Sequence, residues 1–295
     1  MLDPGGGPGT PTLFEYVGVG SGTVIGTTKA SFAETFDGLI DEVSVYNRAL
    51  SASEIQAIFQ AGSAGKCKCQ EVLKVGKTRI LQLQGNSSAF FYEAGMDIDA
   101  DGAPNAYHPP PHTKLGLDAL SNAGHPGHWF ALVTDNGKPN GNPIIQGPND
   151  PYPGFYISTT SLQDTTKART NPLRYVDSRQ IPYMVLPPQV ITELGADFGD
   201  FAVVINRDTD VYSPAIFADQ GPRKKIGEGS IALADALGIP SNPRTGGTNS
   251  GVIYVVFPGS GNGRPRNINE ITTEANSLFD AFGGIDQIDV CFPHK

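Results

Sequence analysis

Basic residues are scarce in this chain. Lys and Arg number 21 against 30 Asp and Glu, a net charge of −9 at pH 7, which disfavours nucleic acid and anionic membranes and favours neutral or cationic ligands. Long apolar runs are missing as well: no stretch approaches the roughly 18 apolar residues of a membrane span. The opening MLDPGGGPGT carries neither the basic nor the apolar part of a secretory leader. Cysteine is nearly absent, and Cys67, Cys69 and Cys291 are too few for a disulfide framework. Cys67 and Cys69 lie too close together to bridge easily; either could pair with Cys291, leaving one thiol over, or all three could stay reduced. No G-x-S-x-G elbow occurs, and the glycine-rich segments 241–251 and 259–265 lack a following G-K-[ST], which argues against a serine nucleophile and a phosphate cradle. Those segments read as turns, some at a cleft rim. Histidines cluster in HPPPH (108–112) and HPGHW (125–129), but with loop spacings unlike those of zinc sites. No metal and no other cofactor is expected.

Glycine and proline are plentiful, 36 and 24 residues, which favours many short strands joined by turns over long helices. LIDEVSVY (39–46) alternates like a strand with one buried face. After it, Ser51 and Glu54 form a capping box, Leu50 and Ile55 a hydrophobic staple, and Gly62 a helix stop. This stretch resembles the closing segment of laminin-G-like, concanavalin-A-like lectin domains, G-x-I-D-E-V-x-x-Y followed by A-L-S-x-x-E-I. Such a sandwich requires well over a hundred residues, so residues 1–62 are expected to form an incomplete β-sandwich remnant. A linker over 63–71 and a second domain over 72–295 follow.

In the second piece, strands are expected at 88–98, 128–134, 154–159, 181–186, 200–206, 214–218 and 251–257, each bounded by Gly, Pro, Asn or Asp. Helices are expected at 230–237 and 270–282, the latter with Ile271, Ala275, Leu278, Phe279 and Phe282 on one face and Gly283 as its cap. The fold class is therefore mainly β: a partly closed barrel with a few short helices. By analogy it is read as the double-psi type.

FADQGPRKKIGEGS (217–230) sets Asp219 and Glu228 nine positions apart. Asp219 ends an apolar strand, where partial desolvation would keep it protonated, and Glu228 precedes a helix start at Ser230 that would favour its ionised form. Two carboxyls in different environments suit acid and base roles in glycoside hydrolysis. On spacing alone a solvated turn fits as well. YEAGMDIDADGAPNAY, RYVDSRQIPYMVLP, DFAVVINR, YSPAIFADQGP, IGEGSIALADALGI and SGVIYVVFPGSG, in that order, resemble the fungal-type chitosanases of glycoside hydrolase family 75. The resemblance implies endo-hydrolysis of chitosan with inversion, Asp219 and Glu228 as the essential carboxylates, and an extracellular location. Asp219 is read as the proton donor and Glu228 as the group that positions or deprotonates water, with the reverse assignment open.

Chitosan carries protonated amines, and residues 89–135 hold six acids against Lys114 alone. MDIDADG (96–102) opens like a calcium loop, but His108 stands where position twelve needs Glu. Beside a non-EF calcium site and a structural Asp-Gly turn, the family resemblance favours reading Asp97, Asp99 and Asp101 as contacts for amines; Tyr107, with Tyr152, is read as a stacking ring and Trp129 as core. The partner is chitosan, with no nucleic acid and no membrane, and the chain is read as a monomer. The alternatives are a non-hydrolytic cell-wall polysaccharide-binding barrel protein and a hydrolase of another wall glycan.

Overall fold

The computed structural model describes residues 48–60 and 69–293. The chain divides into two units, residues 1–65 and 66–295. In the first unit, helix α1 (Ala52–Gln60) is described. Its capping box forms: the Ser51 N–H donates to Glu54 Oε2 at 2.5 Å and the Glu54 N–H to Ser51 Oγ at 3.3 Å. Ile55 is 41% exposed. The strand read over 39–46 lies outside the described residues.

The second unit opens with β1 (Cys69–Val75), β2 (Thr78–Leu83) and β3 (Asn86–Asp99). The first strand begins inside the stretch read as linker. A short hairpin, β4 (Gly124–His125) and β5 (His128–Trp129), precedes β6 (Tyr183–Leu186) and α2 (Pro188–Leu194). Then come β7 (Phe201–Asn206), β8 (Val211–Gln220), β9 (Glu228–Ser230) and α3 (Ile231–Ala236). The unit ends with β10 (Thr248–Val256), α4 (Ile268–Phe282) and α5 (Gly284–Cys291).

Six strands form a ring in the order β3, β10, β7, β8, β6, β9, and β9 pairs back onto β3. The barrel is closed. Two of its pairings, β3 with β9 and β6 with β8, are parallel, and β1 and β2 extend the sheet from β3. Strand β7 is buried along its whole length, which is why FAVVIN carries no polar alternation. Its residues divide between two apolar clusters: Ala202 and Val204 pack with Phe217, Tyr254 and Leu233 of α3, and Phe201, Val203 and Ile205 with Ile271, Phe279 and Phe282 of α4. The capping box of α4, Asn267 with Glu270, and the left-handed Gly283 after it set the helix's ends.

Two expected strands are absent. Apart from His128–Trp129, residues 128–134 and 154–159 are loops, bridged to each other at Leu132 and Ser158, with Tyr156 bridged to Ile145. They belong to the long connection between β3 and β6, whose own core is Ala100, Ala103, Ala106, Tyr107, Trp129 and Leu132. Trp129 is core, as read. A disulfide joins Cys69 in β1 to Cys291 at the end of α5; Cys67 lies outside the described residues. No helix among the described residues is long and apolar enough to cross a membrane.

Candidate active site

Parallel pairing places the acids. On the β3–β9 ladder Asp97 stands opposite Glu228 and Asp99 opposite Ser230, so a carboxyl on each strand reaches the same mouth of the barrel. Glycines on either side make room for Glu228. A Cβ at Gly227, where φ is +98°, would lie 2.6 Å from the Gly95 carbonyl, and one at Gly229 would lie 2.8 Å from Leu233 Cδ2. Ser230 fixes the next step: its hydroxyl donates to the Ile181 carbonyl at 2.8 Å and accepts from the N–H groups of Tyr183 and Leu233. Asp219 arrives from β8, paired with Val185 of β6 just beyond a bulge.

These strand ends and the long connection enclose a cleft of about 700 Å³ lined by Asp97, Asp99, Asp101, Tyr107, Asp219 and Glu228. All six residues singled out from the sequence thus come together. Asp118, Phe130, Lys225 and Arg244 also line it.

The two central carboxyls have opposite surroundings. Asp219 Oδ1 accepts three hydrogen bonds, from the Ser161 N–H at 3.0 Å, the Ser161 hydroxyl at 2.6 Å and the Gln220 N–H at 2.7 Å. Glu228 receives none from the described residues. Burial pushes Asp219 up to about 6, held back by those donors. Burial pushes Glu228 higher, to about 7, opposed by the charge of Lys225 and helped by that of Asp219. This corrects the expectation that the helix start at Ser230 would keep Glu228 ionised: α3 is a six-residue turn, and desolvation outweighs its dipole.

The other acids differ among themselves. Asp97 is exposed and pairs with Lys225 at 2.5 Å, so this cation turns into the cleft. Asp99 is buried; it accepts the Asp101 N–H at 2.7 Å. Burial and neighbouring carboxylates raise both Asp99 and Asp101 well above the usual range. Oxygens of Asp99, Asp101 and Asp219 lie within 4.8 Å of one another, a set of hard donors suited to one small cation or one ammonium group. Tyr107 is corrected as a stacking ring: it is 2% exposed and its hydroxyl donates to Asp101 Oδ1 at 2.7 Å. It positions a carboxyl instead. Tyr152 is likewise engaged, under the Arg179 guanidinium.

Sequence reasoning missed Phe130, which is 64% exposed on the cleft wall. Its signal was the assignment of Trp129 to the core, because the next residue in an extended chain faces the other way. Ser161 had no signal, since it meets Asp219 across 58 positions. Arg244 lies in a segment read as rim; its guanidinium is spent on the carbonyls of Thr113, Gly116, Leu117 and Asp118.

Residues 150–283 match the family described as fungal chitosanase of glycosyl hydrolase group 75. The chain is a chitosanase-type glycoside hydrolase. The matched range of this hydrolase contains both Asp219 and Glu228, whereas the wall built by Asp97, Asp99, Asp101 and Phe130 precedes it. Residues 7–56 match the concanavalin A-like lectin/glucanases superfamily, the resemblance seen at the front of the chain. No curated protein is found to match the chain.

Proposed function

We propose that this hydrolase is a secreted, endo-acting enzyme that cuts the β-1,4 bonds of chitosan with inversion, using Glu228 as general acid and Asp219 as general base. The observation that carries the reading is the contrast in hydrogen bonding. Three donors on Asp219 favour its ionised form, and the bare, desolvated Glu228 favours its protonated form. This reverses the roles first read from the sequence. Glu228 donates its proton to the glycosidic oxygen as the C1–O bond breaks, and water attacks C1 from the opposite face while Asp219 takes its proton. Glu228 ends ionised and Asp219 protonated, and exchange with solvent restores both.

The other acids gather a cationic polymer. Asp99 and Asp101 hold protons readily in the free cleft, and an ammonium group beside them would favour their ionised forms, so binding is coupled to proton release. Tyr107 orients Asp101 for that contact. The Cys69–Cys291 bridge supports an oxidising compartment.

The test is the viscosity of a chitosan solution together with the count of new reducing ends. Wild type should thin the solution well before many ends appear, and Asp219→Asn and Glu228→Gln should each lose about 10²- to 10⁴-fold in rate. An undiminished rate in either variant would remove that residue from the mechanism. No thinning by wild type would favour a non-hydrolytic binder, and equal rates on chitosan and fully acetylated chitin would point to another wall glycan.

A further inference from the structure

The cleft does not end at Asp219. A second hollow of about 520 Å³ continues from it, sharing Asp101, Phe130, Asp219 and Gln220 with the first. Asp219 therefore stands at a junction between two arms of one groove, and Phe130 projects at the same point. The arms differ in charge. The arm containing Glu228 also has Asp97, Asp99 and Asp118, and its two cations are engaged, Lys225 with Asp97 and Arg244 with backbone carbonyls. The other adds no carboxylate to the shared pair and carries two cations, Lys138 and Arg169.

Arg169 is held in place. Its guanidinium donates to the Thr134 carbonyl at 2.9 Å, and its own carbonyl accepts the Tyr175 hydroxyl at 2.9 Å. The Lys138 turn is tied down too: the Thr134 hydroxyl donates to the Lys138 carbonyl at 2.8 Å and the Trp129 N–H to the Pro139 carbonyl at 2.8 Å. The remaining lining is neutral: Thr159 and Gln163, whose Oε1 already accepts from Arg174, stand beside the apolar Leu132 and Val133. Beyond the shared Asp101 and Asp219, that composition suits an uncharged amide-bearing sugar and disfavours an ammonium group.

We infer that the Lys138–Arg169 arm is a second substrate-binding arm that takes N-acetylated sugar units, while the Glu228 arm takes deacetylated ones. The Phe130 ring at the junction stacks on the sugar that enters the second arm. This rests on the catalytic reading above and adds a direction to it: in a mixed chain the bond is cut with the acetylated unit on one fixed side.

The experiment digests a chitosan of random, intermediate acetylation and sequences the products by mass spectrometry after isotopic labelling of the new reducing ends. Wild type should enrich acetylated units at one class of new end by about fivefold over the other, the factor expected from one repulsion between close, solvated charges. The bias should shrink as salt is raised from about 0.01 M to about 1 M, because both cations are exposed. The double variant Lys138→Gln, Arg169→Gln should lose most of the bias and cut fully deacetylated chitosan faster than wild type does. Equal acetylation at both ends, or a bias that survives salt and the double substitution, overturns the inference while leaving the catalytic reading intact. If wild type cuts no chitosan, or Glu228→Gln cuts as well as wild type, the catalytic reading falls and this inference with it.

Discussion

Ser161 illustrates how one residue of the long connection controls the chemistry of another element. Its hydroxyl and N–H both reach Asp219 Oδ1, and both favour the charged form of that carboxyl. With Asp219 as base and Glu228 as acid, kcat/KM should rise as the first ionises near pH 6 and fall as the second loses its proton near pH 7, giving a narrow bell whose limbs belong to the interacting pair. Ser161→Ala removes the 2.6 Å donor and raises Asp219 further. Its ascending limb should move up by about one pH unit, while the descending limb moves less. A profile of the variant that overlays wild type would show that the serine does not govern the base. Asp219 and Glu228 were legible because they sit in adjacent short motifs. Ser161 was not, because it acts across 58 positions, and Phe130 was overlooked in the apolar run HWFALVT although its alternation with the core residue Trp129 pointed it outward.

At the scale of elements, the legible strands were those with β-branched and aromatic runs, GVIYVVF and DFAVVIN above all, where burial on both faces leaves a continuous apolar string. The same signal misled at 128–134 and 154–159, where apolar residues serve the small core around Tyr107 and Trp129 and not a ladder. The three-residue β9 has no period of its own. It exists because Gly227 and Gly229 let the chain slip between β3 and β6. Gly227→Ala therefore combines a left-handed φ with a 2.6 Å approach to the Gly95 carbonyl, at about 1–3 kcal/mol of strain. Relief of that strain displaces Glu228. The variant should lose about 10²-fold in kcat, more than its melting temperature alone would account for; a loss confined to stability would detach the glycine from the site.

For the whole second unit, the disulfide between Cys69 and Cys291 joins residues 222 positions apart, tying its first strand to its last helix. Closing so long a loop restricts the unfolded chain by up to about 5 kcal/mol. Cys291→Ser should thus lower the melting temperature by roughly 5–15 °C with little change in kcat at ambient temperature. Stability also depends on pH through the cleft. Glu228 rises from 4.5 to about 7 and Asp219 from 3.8 to about 6 on folding, so their protonated forms are favoured in the native state. That contribution is fully present below about pH 4 and disappears as pH climbs through 6 and 7. Melting temperature should therefore decline across that window in wild type and decline less in Asp219→Asn, Glu228→Gln. The barrel closes on β9, and β9 opens on Glu228 itself. The clasp and the proposed proton donor are one short segment, so a molecule warmed until that seam parts would fall silent while the rest of its sheet still held together.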